Sequence, residues 1–139
     1  MSLSAADHAQ LGRILYDAMR ANTPIQPLTK THPTITVEDA YQISRTMLSH
    51  RLERDREVVV GKKIGVTSDA VQSMLGVFQP DFGFLTNTMT FANKSDIRIA
   101  GNMISPRAEV EIAFRLKSTL GGTANTEDDV LAATECIIP

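Results

Sequence analysis

Two glutamates, Glu109 and Glu111, are separated by one valine in the stretch RAEVEIAFRL. There Ala108, Val110, Ile112, Phe114 and Leu116 alternate with Arg107, Glu109, Glu111, Ala113 and Arg115, the period of a strand with one apolar face. On such a strand both carboxylates leave the same side with Cα atoms about 6.6 Å apart, close enough to converge on one hard cation. Ligands that are all oxygen favour Mg²⁺, Mn²⁺ or Ca²⁺ over zinc or copper. The same spacing also describes a sheet face open to water.

Lys63 lies in the apolar, glycine-flanked run GKKIGVTS, where desolvation or a nearby carboxylate can tune an ammonium for proton transfer. Its neighbour Lys62 points the other way, so one of the two faces solvent and the other needs a partner. A structural salt bridge is as compatible with this pattern as catalysis. Asp81, in QPDFG, reads first as a turn former. The single cysteine, Cys136, cannot form an intrachain disulfide and reads as a buried thiol. Three histidines far apart, His8, His32 and His50, argue against a Cys/His zinc site. The methionines, Met47, Met74, Met89 and Met103 among them, read as core filler.

The elements that must position these groups follow from capping and periodicity. Ser4 caps a first helix over residues 4–20, with Leu11, Ile14, Leu15 and Ala18 at helical spacing. The stretch NTPIQPLTKTHPT, with three prolines, predicts an extended connector. Thr36 opens a second helix with Asp39 three residues on, and a broad apolar stripe runs through Ala40, Tyr41, Ile43, Met47, Leu48 and Leu52. RLERDRE is its solvated end. Val58, Val59 and Val60 lead into a buried strand, in which Gly61 and Gly65 admit a close approach to the backbone. Ser68 caps a short helix closed by Gly76. QPDFG then makes a turn, residues 96–99 a short strand, and Thr126 with three acids caps a last helix before the apolar ending ECIIP.

With 139 residues, 42% of them hydrophobic, one ordinary soluble core is the expectation. A net charge of -2 argues against binding driven by nucleic-acid phosphates. No apolar run approaches the roughly 20 residues of a membrane helix, and MSLSAADHAQ lacks a basic leader with an apolar core. A cytoplasmic protein is therefore expected, without membrane or nucleic-acid partners.

Three strings, GKKIGVTSDAVQSMLGVFQPDFGFL (61–85), SPRAEVEIAF (105–114) and DVLAATECIIP (129–139), closely resemble the 2-hydroxypenta-2,4-dienoate hydratases, also called 2-oxopent-4-enoate hydratases, of aromatic meta-cleavage catabolism. VEDAYQIS (37–44) and the first helix extend the likeness over essentially the whole chain. The resemblance implies an α+β fold: N-terminal helices over residues 1–57, then over 58–139 the first part of a mixed, rolled β-sheet like that of the fumarylacetoacetate hydrolase C-terminal domain. It implies Mg²⁺ or Mn²⁺ held by three glutamates, two of which fall on Glu109 and Glu111. The third belongs to a segment reading roughly ECxIPxxEVxDSR, whose Pro is Pro139, so the chain resembles the N-terminal half of such an enzyme. The family lysine falls on Lys63 and the turn acid on Asp81. A small 2-hydroxydienoate or 2-oxo acid substrate, a homo-oligomer and association with a decarboxylase of the same pathway are also implied. The alternatives are the related 4-oxalocrotonate decarboxylase, whose strings are less similar, and a non-catalytic fragment or partner subunit. The half-length chain is expected to bind Mg²⁺ or Mn²⁺ weakly, to turn over little substrate and to self-associate.

Overall fold

The computed structural model describes residues 3–139. Helix α1 (Ala5–Arg20) starts where its sequence says it should. The Ser4 hydroxyl accepts from the Asp7 N–H while the Asp7 carboxylate accepts from the Ser4 N–H, a reciprocal cap. The proline-rich connector contains one helical turn, α2 (Leu28–Thr31), where an extended segment was expected. Pro27 at its entry holds φ at -52°, a value compatible with a helix start, and loses no needed donor there. Helix α3 (Val37–Arg54) repeats the reciprocal cap with Thr36 and Asp39.

Helices α1 and α3 pack closely through Gly12. A Cβ there would lie 2.6 Å from the Thr46 Cβ and 2.8 Å from the Ile43 carbonyl oxygen, so only glycine allows the approach. Leu11, Tyr16 and Ile43 are buried around this crossing. At one end of the pair His8 Nε2 meets Asp39 Oδ1 at 2.7 Å. Hydrogen bonds from the Thr36 backbone, from His8 and from the Thr36 hydroxyl hold the Asp39 carboxyl down to about 2.

Strand β1 (Val59–Gly65) pairs antiparallel with β2 (Asp81–Thr86), and α4 (Asp69–Leu75) lies between them in sequence. Ser68 caps α4 and Gly76, at φ 67°, ends it in the left-handed conformation. β2 begins at Asp81, so the expected turn at QPDFG closes by Pro80 and its last three residues belong to the strand. A short 3-10 turn (Asn87–Met89) follows. The valines of β1 are exposed rather than buried, because a two-stranded ladder covers little. Residues 96–99 form no strand, since neither ladder pairs with them.

The chain divides into two units at Ile104/Ser105. In the second, β3 (Ala113–Leu116) pairs antiparallel with β4 (Thr134–Ile138), and α5 (Glu127–Ala133) joins them behind a Thr126–Asp129 reciprocal cap. Ala133 is buried there and Cys136 is half-buried. The expected strand over 107–116 is regular only from Ala113. The paired stretch begins with Ala113 opposite Ile138, so Glu109 and Glu111 precede the ladder in sequence. Met74 and Met89 are exposed and so fill no core. The fold is thus α+β, with helices and two small sheets.

Candidate active site

Register decides which side chains share a face. Lys62 pairs with Phe84 and Ile64 with Phe82, so these four side chains point to one side of β1–β2. That side meets α3: Tyr41 stacks on Phe82 with ring centroids 4.8 Å apart, and its hydroxyl accepts from the Phe82 N–H. The Lys62 ammonium sits 5.5 Å and 5.8 Å from the Phe82 and Phe84 ring centroids, which gives this lysine its partner.

The opposite side carries Gly61 across from Leu85, Lys63 across from Gly83, and Gly65 across from Asp81. Lys63 and Asp81, separated by 18 positions in sequence, therefore lie diagonally on one face, a placement that puts Cα atoms about 7–8 Å apart. Three of the six residues on this face are glycines, which leaves a low surface between the ammonium and the carboxylate. Gly65 has a specific reason to be glycine, because a Cβ there would fall 2.5 Å from Asp81 Oδ1. The expected close approach at Gly65 is thus the Asp81 carboxylate itself. Gly61 meets only Leu85 Cδ1, at an ordinary 3.8 Å.

A buried charge network fixes the other end of the strand pair. Arg51 Nε donates to Glu57 Oε2 at 2.8 Å, and an Arg51 terminal nitrogen donates to the Thr86 hydroxyl at 2.8 Å. Arg20 donates to Glu57 and to Asp55, and the Tyr16 hydroxyl donates to Asp55 at 2.9 Å. Burial pushes the Glu57 carboxyl up, but hydrogen bonds from Thr86, Arg51 and Arg20 outweigh it and hold the group at about 2. Thr86 has no solvent exposure at all, and Arg51 and Glu57 are buried, so RLERDRE is not simply a solvated helix end. The charges in that run balance one another, and only contact with α1 and β2 reveals which of them turn inward. Val58 and Asn87 close the anchor, exchanging hydrogen bonds of 2.8 Å and 2.9 Å.

Glu109 and Glu111, in the second unit, precede β3 in irregular backbone with exposed side chains. Val110 between them is 99% exposed, so no apolar layer backs the pair as strand alternation had implied. Among the described residues no three His, Cys, Asp or Glu side chains are grouped to hold a metal. The two carboxylates suit a hard divalent cation in kind and supply only part of the six or more oxygens it takes.

No protein-family model matches the chain. It is 55% identical over 130 residues to the 2-hydroxypent-2,4-dienoate hydratase of Pseudomonas putida, an alignment covering 94% of this chain and 58% of that protein. It is 54% identical over 129 residues to the 2-hydroxyhexa-2,4-dienoate hydratase of Comamonas testosteroni, covering 92% and 48%. The chain is a homologue of the 2-hydroxydienoate hydratases. It spans about half the length of the curated relatives it matches. In structure it resembles the 4-oxalocrotonate decarboxylase from Pseudomonas putida G7. The form complexed with magnesium and adipate gives a TM-score of 0.84 at 27% identity, covering 99% of this chain and 51% of that one. The form complexed with calcium and acetate gives 0.89 at 28% identity, covering 99% and 52%. No helix among the described residues is long and apolar enough to cross a membrane.

Proposed function

We propose that this chain is the lysine-bearing half of a divalent-cation-dependent hydro-lyase that converts 2-hydroxypenta-2,4-dienoate to 4-hydroxy-2-oxopentanoate in aromatic catabolism. The observation that carries this reading is the glycine face of β1–β2, with Lys63 and Asp81 on the same side. The names of the relatives at 55% and 54% identity support the same chemistry.

Water addition to the dienol needs a proton moved first. The 2-hydroxyl proton leaves and C5 gains a proton, giving the 2-oxo-3-enoate, whose C4 is then open to attack by water. Lys63 is the group for this transfer. As an ammonium on a low glycine surface it gives the proton that C5 gains, and the amine so formed takes the 2-hydroxyl proton, restoring the ammonium. Asp81, held against the backbone of Gly65, orients the polar end of the site and keeps a negative charge within reach of the lysine. Glu109 and Glu111 would be two of the ligands of Mg²⁺ or Mn²⁺, and the magnesium and calcium with which the structural neighbours are complexed favour a divalent cation. When bound, the cation supplies Lewis-acid stabilisation of negative charge on the substrate's 2-oxygen.

On this reading the sheets belong to a fumarylacetoacetate-hydrolase-type fold, with residues 1–57 as its helical portion and 58–139 as the start of its catalytic sheet. A cytoplasmic homo-oligomer working beside a decarboxylase of the same pathway completes the proposal. The second reading, a 4-oxalocrotonate decarboxylase, is favoured by the structural likeness. The test is product analysis on this chain extended by the part of the Pseudomonas putida hydratase that it does not match. Formation of 4-hydroxy-2-oxopentanoate from the dienoate supports the hydratase, whereas carbon dioxide released from 4-oxalocrotonate with no hydration supports the decarboxylase.

A further inference from the structure

Helices α1 and α3 run side by side in the same direction, with His8 against Asp39 at one end and Arg20 against Asp55 at the other. A cavity of about 400 Å³ opens along the groove between them. Gln10 and Arg13 reach it from α1, His50 and Arg54 from α3, and Ala9 and Thr46 complete the lining. No described aspartate or glutamate lines it. Arg13 meets Asp17 at 3.5 Å with both side chains more than half exposed, a weak pair. Among the described residues no carboxylate stands within ion-pairing distance of His50 or Arg54. Tyr16 keeps these last two in place. It is buried, its hydroxyl donates to Asp55 at 2.9 Å, and its ring centroid lies 5.5 Å from the Arg54 guanidinium and 5.3 Å from the His50 ring. In a chain of net charge -2, this groove thus gathers two permanent positive charges and a histidine with no acid in its lining.

We infer that the groove binds a doubly negative phosphate group, free or carried on a small organic molecule. Two guanidiniums, one on each helix, match a dianion in charge. The tetrahedral spread of phosphate oxygens lets each helix reach a different one, whereas a planar carboxylate presents both of its oxygens on one side. The Gln10 amide and one His50 ring nitrogen are further donors. Thr46 adds none, because its hydroxyl already donates to the Gln42 carbonyl oxygen at 3.1 Å. The volume falls at the low end of the range for small-molecule pockets, which leaves room for a phosphate ester as well as the free ion. The site shares no residue with the Lys63–Asp81 face and does not depend on the hydratase reading.

The experiment titrates the isotope-labelled 139-residue chain with inorganic phosphate, glycerol phosphate and acetate, followed by amide NMR. Ionic strength is held at about 0.15 M, where charges more than about 8 Å apart are screened and only a local site responds. At about pH 8 the phosphates are mostly doubly charged. The expected result is saturable shifts at Gln10, Arg13, His50 and Arg54, with a Kd for phosphate at least about tenfold below that for acetate. Tighter binding of the ester assigns the groove to an organic phosphate and equal binding to the free ion, and either supports the site. Arg54→Gln should weaken phosphate at least about tenfold, the worth of a charge-assisted hydrogen bond, whereas Arg45→Gln, an exposed arginine of α3 outside the lining, should change it about twofold or less. Arg13→Gln makes the same test where the loss of Arg54 from the Tyr16 ring disturbs the spectrum of the free chain. Shifts that never saturate, equal affinity for phosphate and acetate, or losses from Arg13→Gln and Arg54→Gln no larger than from Arg45→Gln overturn the inference.

Discussion

Lys63 and Gly65 carry the most specific expectations at the scale of single residues. In a protein of the relatives' full length, Lys63→Ala should lower kcat by about 10²–10⁴-fold, the usual worth of a positioned acid–base group, while the Kd for Mg²⁺ changes only a few-fold. Steady-state kinetics with a parallel metal titration check it, and turnover within a few-fold of the parent would remove Lys63 from the mechanism. Gly65→Ala should push the Asp81 carboxylate off the strand and so reproduce the kinetic loss of Asp81→Asn, because the new Cβ would stand 2.5 Å from Oδ1. Lys63, Asp81, Glu109 and Glu111 were legible as residue types in short motifs. That Lys63 and Asp81 share a face was not, since it depends on the pairing of two strands with a helix between them. The burial of Arg51 and Glu57 was also hidden, because a balanced run of charges looks the same whether it is wet or tied to a distant arginine and threonine.

The elements depend on two contacts that can be tested by stability. Gly12→Ala should destabilise the α1–α3 pair by about 1–3 kcal/mol, the usual cost of forcing extra volume into a filled contact, read as a lower urea midpoint. Glu57 makes the second contact, between α1, α3 and β2. Its folded carboxyl sits at about 2 against 4.5 for the free side chain, so its contribution is complete above pH 4.5 and is lost as pH falls through about 2. That difference corresponds to roughly 3 kcal/mol, and Glu57→Gln should flatten the fall of thermal stability across this interval. The three long-range-independent features, the reciprocal caps at Ser4, Thr36 and Thr126, were readable directly from a hydroxyl and an aspartate three residues apart. Strands were less so. Residues 107–112 alternate as a strand should, yet a strand exists only where another segment pairs with it, and the β3–β4 ladder stops at Ala113 and Ile138.

For the molecule as a whole, the balance of covered and open apolar surface sets the behaviour. Leu11, Tyr16, Ile43 and Ala133 are buried, whereas Phe78, Val110, Ile112, Leu131 and Ile137 are exposed. Such a surface seeks partners, so sedimentation of the 139-residue chain should show association that grows with concentration and recedes when a strand-capping charge, Ile137→Lys, is introduced. Two carboxylates also leave a divalent cation largely hydrated, and calorimetry should find its binding to this chain weak. The decisive measurement joins these scales. The chain is fused to the unmatched part of the 55% identical hydratase, and the ultraviolet absorbance of 2-hydroxypenta-2,4-dienoate is followed with Mg²⁺, then with a chelator in excess. The expected result is dienoate consumption that stops on chelation, returns with Mg²⁺, and is absent from a folded Glu109→Gln/Glu111→Gln fusion; undiminished consumption after chelation, or in that double variant, would contradict a cation held by these carboxylates and a hydratase built on them.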